Sequence, residues 1–543
     1  MQKEISELVN LINNKNIDKA YSLARNLYQK DKNNRKVINI LSYLYIQRSQ
    51  YNASIDVLET YYQKFPLQRD FDYFINMGVS LKFIEEFEKS LVMYEKAKKI
   101  DPSSPLCYIG PAEIYLKIRD FNLALEFIDI AVIKSSQLGQ MKNLYFFNAI
   151  KLKTEINVAL NQDKNNEDLL LNLINETFSP EIFYLLAINN PILIDNALLE
   201  KAEQQLQINE SAFKNSLDRF WNVHPLCFGL AIAYSKKDKL KSEDFYHRGN
   251  NETMKTLRYN SFDYQKKIGS VMSVYQNYFS NLKKEDTEIG ANNFFILGSP
   301  RSGTTLIESF IGSNNEVISG GELLSGFRLI DDFMNNFKEE KIEEFKIEFM
   351  KTYLSRTDFL RKNYLYIVDK LPENFLYMGM LLNMMPQTKI IRTFRDPWDV
   401  AISLYKQRYV MNIPYSASFF NIGVFLANFE AINLFWNEAI QGKENILDVY
   451  YEDLVDKPEE HQIKIYEFLG LKSQFNEEKR RAFFSQTASI RQIGSAVHKN
   501  SLKKQEFLDK KQEFYDAIHM QRKYWQKKGI NYEKSTFFGY ELS

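Results

Sequence analysis

Phe294-Phe295-Ile296-Leu297-Gly298-Ser299-Pro300-Arg301-Ser302-Gly303-Thr304-Thr305 is the stretch on which the reading of this chain turns. Four consecutive apolar residues with no polar alternation form a run too short for a helix, the pattern of a strand buried on both faces. The run stops at Gly298, and helical apolar spacing resumes from Leu306 to Ile311. Strand, glycine-bounded loop and helix, in that order, aim backbone N–H groups and the positive end of a helix at a bound anion. A site for a phosphate-like group is therefore expected within residues 298–305.

The spacing Gly298-x4-Gly303 is that of a nucleotide-triphosphate loop, but the lysine such a loop carries next is replaced by Thr304, with Thr305 in the Ser/Thr position. A kinase or ATPase loop uses that lysine, with Mg²⁺ nearby, to neutralise β- and γ-phosphate charge. A sulfuryl group carries less negative charge than a phosphoryl group. Hydroxyls, backbone amides and one or two side-chain cations can then support its transfer without a metal, and Arg301 supplies a cation within the loop.

Four later segments extend the pattern. Tyr364-Leu-Tyr-Ile-Val-Asp-Lys370-Leu-Pro reads as a strand ending in a lysine. Lys389-Ile-Ile-Arg-Thr-Phe-Arg395 runs through Asp-Pro-Trp-Asp-Val-Ala-Ile to Ser403, a strand passing into a helix with Arg and Ser eight residues apart. Val449-Tyr-Tyr451-Glu-Asp reads as a further strand end, and Thr487-Ala-Ser489-Ile-Arg-Gln492 opens a polar loop that continues to Ser501. In this order the segments resemble the sulfotransferase family, specifically the tetratricopeptide-repeat-bearing bacterial members related to the tyrosylprotein sulfotransferases.

The resemblance implies 3′-phosphoadenylyl sulfate (PAPS) as co-substrate, PAP as product and no metal. It implies that Arg301, Ser302, Gly303, Thr304 and Thr305 hold the 5′-phosphosulfate. Arg395 and Ser403 would clamp the 3′-phosphate, and Tyr451, Ser489, Gln492 and Lys504 would complete the nucleotide site. Glu322, which follows Gly320-Gly321 and lies 21 residues past Arg301, resembles the family's catalytic glutamate. It would take the acceptor's proton while Lys370 and Arg301 stabilise the transferring and bridging oxygens. One departure stands out: the tyrosylprotein enzymes carry an arginine four residues after the serine, where this chain has Gln407, flanked by Lys406 and Arg408.

The front half repeats itself. The clearest unit starts at Phe71, with Phe74, Met77, Gly78 and Leu81 on one helix, Ser90, Tyr94 and Ala97 on the next, and Pro102 after it. The same template fits from about 105 and from 35, with a degenerate first copy ending in Ala20, Ala24 and Leu27, a period near 34 residues. Small residues recur where two helices must approach closely. From about 137 to 290 the pattern stays helical and the template fades. The expected architecture is an α-helical tetratricopeptide-like solenoid followed by an α/β P-loop-like sulfotransferase domain with a central parallel sheet. Its parts are repeats over 1–136, a helical extension over 137–289 and the transfer domain over 290–543.

Bulk properties narrow the partners. With 70 Lys+Arg against 69 Asp+Glu there is no global field of the kind that holds a protein on nucleic acid. Cys107 and Cys227 lie far apart, and the five histidines are dispersed, so neither a disulfide frame nor a metal cluster is expected. Charged and amide residues interrupt the apolar runs of the N-terminus, which argues against a signal peptide and for a cytoplasmic protein. The most apolar window, Phe375 to Met385, falls well short of the roughly 20 residues a membrane helix needs, so no span is expected. The acceptor, a peptide or protein or a hydroxylated small molecule, and any protein partner on the repeat face are not legible. A P-loop kinase, or a non-catalytic repeat scaffold with a nucleotide-binding domain, stay as alternative readings.

Overall fold

A computed structural model describes residues 2–14, 16–137, 144–214, 216–257, 259–280, 282, 288–361, 364–409, 413–440, 444–472, 478, 480, 483, 505–533 and 535. The chain divides into two compact units, Met1–Asn161 and Gln162–Ser543.

In the first unit, helices pair in sequence: Gln2–Asn13 with Ile17–Lys30, Arg35–Gln47 with Tyr51–Tyr62, Phe71–Phe83 with Phe87–Ile100, and Leu106–Lys117 with Phe121–Gln137. The starts fall where the repeat template puts them. Small residues let the paired helices touch: Ser42 and Ser54 share a hydrogen bond of 2.8 Å, Ser90 donates to the Gly78 carbonyl at 2.6 Å, and Ala112 and Ala124 are fully buried. This is a tetratricopeptide-like helical stack. One further helix, Leu144–Ala159, packs on its last pair.

The second unit opens with helices from Asp163–Glu176 to Ser261–Val274. The helical extension expected over 137–289 is thus divided between the two units. A five-stranded sheet follows, made of β1 (Asn293–Gly298), β2 (Val317–Gly321), β3 (Tyr366–Asp369), β4 (Lys389–Phe394) and β5 (Ile446–Tyr450). Every pairing is parallel, and the order is β2-β3-β1-β4-β5. Phe294 to Leu297 are at most 1% exposed, because helices cover both faces of the central strand. Successive strands leave β1 in opposite directions, through β3 on one side and β4 on the other, which makes its carboxyl end a topological switch point.

Helix Phe419–Ala439 is long and apolar enough to cross a membrane, but 89% of its apolar window is buried inside the protein. It forms the spine of the second unit. Helix Lys511–Gln526 lies along it, fixed by a fork from Arg522 to the fully buried Glu430 (2.8 and 2.7 Å) and by Trp525 Nε1 donating to Asn428 at 2.7 Å. Cys107 and Cys227 are buried free thiols.

Candidate functional site

All five strands deliver a candidate residue at the same edge of the sheet. Arg301 stands in the loop after β1, Glu322 directly after β2, Lys370 directly after β3, Arg395 directly after β4 and Tyr451 directly after β5. Parallel strands point their carboxyl ends one way, so positions scattered over 150 residues of sequence meet along one row.

The β1 loop is tightly built. Gly303 has φ +102°, and a Cβ there would lie 2.4 Å from the Tyr451 ring, so both the backbone conformation and the space demand glycine. Arg301 holds φ +71°, uncommon for a side-chain-bearing residue and a strain retained where surrounding bonds enforce it. Those bonds are present: Arg395 Nη1 donates to the Arg301 carbonyl at 3.0 Å, and Arg301 Nε donates to Ser403 Oγ at 2.9 Å. The Arg395 guanidinium lies 4.2 Å from the centre of the Tyr451 ring. Burial and the neighbouring Arg395 push the Arg301 pKa down from its ordinary value; an arginine so shifted still carries its charge near neutrality. Ser302 bonds the Ser299 carbonyl (2.7 Å) and Thr393, while Thr304 and Thr305 sit buried at the start of helix Thr304–Gly312. Arg301, Ser403, Arg395 and Tyr451 thus form one connected group over the loop between β1 and helix Thr304–Gly312.

A second group stands on the β2–β3 side. Lys370 Nζ donates to Glu322 Oε1 at 2.6 Å and lies 3.9 Å from Glu308. The lysine is 1% exposed and Glu308 is fully buried, whereas Glu322 is 45% exposed. Ser319 donates its hydroxyl to Glu308, and the Lys370 N–H donates to the Gly321 carbonyl at 2.8 Å, tying the two strand ends together. A buried ammonium is stable only when paired; two carboxylates supply the pairing and aim it at the open edge.

Sequence reasoning missed several members of this surrounding. Glu308 was readable in principle, as the one acid within the apolar Leu306–Ile311 turn. Nothing local marked Tyr409, whose phenol is pushed up to about 12, mainly by burial and against the pull of Arg301, with Glu322 and Glu373 adding to the rise. Helices of the second unit also brace the segment bearing Ser403. Asn250 donates to the Tyr405 carbonyl at 2.9 Å, and His247 Nδ1 and the Tyr405 hydroxyl are 2.7 Å apart. Arg408 turns to Glu181 (2.8 Å) and His224 (3.1 Å), and Lys406 pairs with Glu506 (2.6 Å), so both cations beside Gln407 are engaged away from the loop. Ser489, Gln492 and Lys504 lie outside the described residues.

Residues 293–477 match the family model described as the sulfotransferase family. The chain carries a sulfotransferase-family domain. Relatives of this chain include an uncharacterised Aquifex aeolicus protein, 27% identical over 59% of this chain and 45% of its own. Another is a Caenorhabditis briggsae protein named as a candidate protein-tyrosine sulfotransferase, 25% identical over 33% of this chain and 65% of its own. This chain therefore spans less than two thirds of either relative. Among solved structures, the sulfotransferase domain of the Synechococcus PCC 7002 olefin synthase is 18% identical with a TM-score of 0.31, covering 48% of this chain and all of that one. The Mycobacterium avium sulfotransferase STF9 is 14% identical with a TM-score of 0.25, covering 53% and 86%.

Proposed function

We propose that this protein transfers a sulfuryl group from PAPS to an acceptor hydroxyl. The observation that carries the reading is the row of strand ends, which sets an anion-binding loop with no lysine beside an exposed carboxylate bonded to a buried lysine. The loop fits a phosphosulfate: Gly303 lets the Tyr451 ring close on the loop backbone, and buried Ser302, Thr304 and Thr305 line the helix start. Arg395 and Ser403, already joined through Arg301, would hold the 3′-phosphate.

In the transfer, the bond from sulfur to the bridging phosphate oxygen breaks and one to the acceptor oxygen forms. Glu322 takes the acceptor's proton on its exposed carboxylate. Lys370, fixed between Glu322 and Glu308, presents positive charge to the transferring group and the departing oxygen. Arg301 adds charge from the loop, and the strand-end framework holds the acceptor in line. A protein tyrosine is one acceptor consistent with the glutamate base and the repeat stack; docking of acceptor or partner on the repeats belongs to the same proposal, as does a cytoplasmic location.

Thermal shift with PAP and with ATP, each with and without Mg²⁺, tests the reading. Stabilisation by PAP alone, independent of Mg²⁺, is expected. Stabilisation by Mg²⁺–ATP instead would return the kinase reading, and label transfer from heavy-sulfur PAPS separates an enzyme from a non-catalytic scaffold.

A further inference from the structure

Five residues past Ser403, Arg408 enters a socket made by three helices that precede the sheet in sequence. Its Nη1 donates to Glu181 on helix Pro180–Asn189 at 2.8 Å, and its Nε donates to His224 Nδ1 on helix Ser216–Tyr234 at 3.1 Å. The guanidinium also lies 4.6 Å from the centre of the Tyr184 ring. An arginine only donates, so His224 Nδ1 accepts and the ring proton sits on Nε2, 3.0 Å from Thr253 Oγ1 on helix Lys239–Thr256. Phe220 stacks on the imidazole at 4.3 Å. Burial, then the charge of Arg408, holds the His224 pKa well below its ordinary value, so the ring stays a neutral acceptor.

Stability alone does not account for this socket. The Arg408 side chain is 2% exposed, and its Nη2 is buried with no hydrogen-bond partner among the described residues. Desolvating a guanidinium offsets much of what its ion pair gains, and packed apolar side chains of similar size often hold a fold as well. What a buried pair with directed bonds adds is register, one fixed placement of the segment that bears it. Here that segment carries Ser403. Helix Pro397–Tyr405 passes straight into a bonded turn, since the Lys406 N–H donates to the Ile402 carbonyl at 3.0 Å and the Gln407 N–H to the Leu404 carbonyl at 3.1 Å. Any shift of Arg408 therefore moves the helix end from which Ser403 Oγ meets Arg301 Nε at 2.9 Å.

We propose that Arg408 is a positioning residue for the 3′-phosphate. Seated between Glu181 and His224, it sets the helix end that presents Ser403, so the helices ahead of the sheet take part in selecting a 3′-phosphorylated nucleotide. The inference rests on the PAPS reading, in which Ser403 and Arg395 clamp that phosphate, and its test tells the two apart.

The full chain is titrated by calorimetry with PAP and with AMP, which differs from PAP only in lacking the 3′-phosphate. The unaltered protein should bind PAP about 10²-fold tighter than AMP, the scale of a phosphate held by charge-assisted bonds. Equal affinity for the two, or binding of neither, removes the clamp reading itself and the inference with it. In Arg408→Met the preference for PAP should fall about tenfold while AMP affinity stays within about twofold. Arg408→Lys keeps a cation for Glu181 but not the fixed fork that also reaches His224, and should keep an intermediate preference. Where Arg408→Met does not fold, the paired change Arg408→Met with Glu181→Met leaves no buried charge without its partner and should show the same fall. A preference unchanged in Arg408→Met or in the paired variant overturns the assignment. So do PAP and AMP affinities lowered by one common factor, the mark of a purely structural arginine.

Discussion

In each unit a tyrosine ring occupies the space that a side chain on a glycine would need, and the two cases end differently. In the repeats, a Cβ on Gly110 would lie 2.1 Å from the Tyr94 ring, and Tyr94 is 2% exposed. Around the sheet, a Cβ on Gly303 would lie 2.4 Å from Tyr451, whose ring carries the Arg395 guanidinium. The first contact closes a core between helices. The second keeps backbone N–H groups and a cation together above a strand end. The same close approach therefore serves stability in one unit and, on the proposed function, anion binding in the other, and the backbone gives the sign: Gly303 has φ +102°, whereas Gly110 lies within helix Leu106–Lys117.

Substitutions can break this contrast. The largest expected effect lies in the sheet unit, where Lys370→Ala should lower kcat about 10³-fold, the scale of losing one preorganised electrostatic group. PAP affinity by calorimetry should change far less; an equal loss in both would make Lys370 a nucleotide ligand. Glu322→Gln should lower kcat about 10²-fold while PAP still binds, and full turnover in that variant would remove Glu322 from proton transfer. Gly110→Ala should destabilise the first unit by about 1–3 kcal/mol through overpacking, read by denaturant unfolding, with PAP affinity unchanged. Gly303→Ala should do the reverse, weakening PAP binding by about tenfold for the roughly 1–2 kcal/mol that a left-handed residue costs. If the two alanine variants behave alike, the contrast fails. The smallest effect belongs to Asn250→Ala, which removes the bond to the Tyr405 carbonyl. About 0.5–1.5 kcal/mol should appear as a modest loss of PAP affinity, sharpening how far the helices ahead of the sheet brace the Ser403 segment.

Much of the architecture was legible because its signals are local. The strand Phe294–Leu297, the glycine-bounded turn and the helix after it are fixed by neighbours a few residues apart, and the repeat starts follow from a period that small residues mark. The β4-to-helix passage was readable for the same reason, since Asp396 caps helix Pro397–Tyr405 through the Asp399 N–H. What failed to show was whatever depends on partners distant in sequence. Glu308 reads as a blemish in an apolar turn until β3 brings Lys370 beside it.

By itself the sequence determined which residue types follow each strand, because strand, turn and helix preferences act within a few residues. Only the tertiary structure decided that Arg301 joins Ser403 and Arg395 and that Lys370 sits between two carboxylates. Those relations arise from the parallel strand order β2-β3-β1-β4-β5, which places distant strand ends side by side, and no local pattern encodes that adjacency.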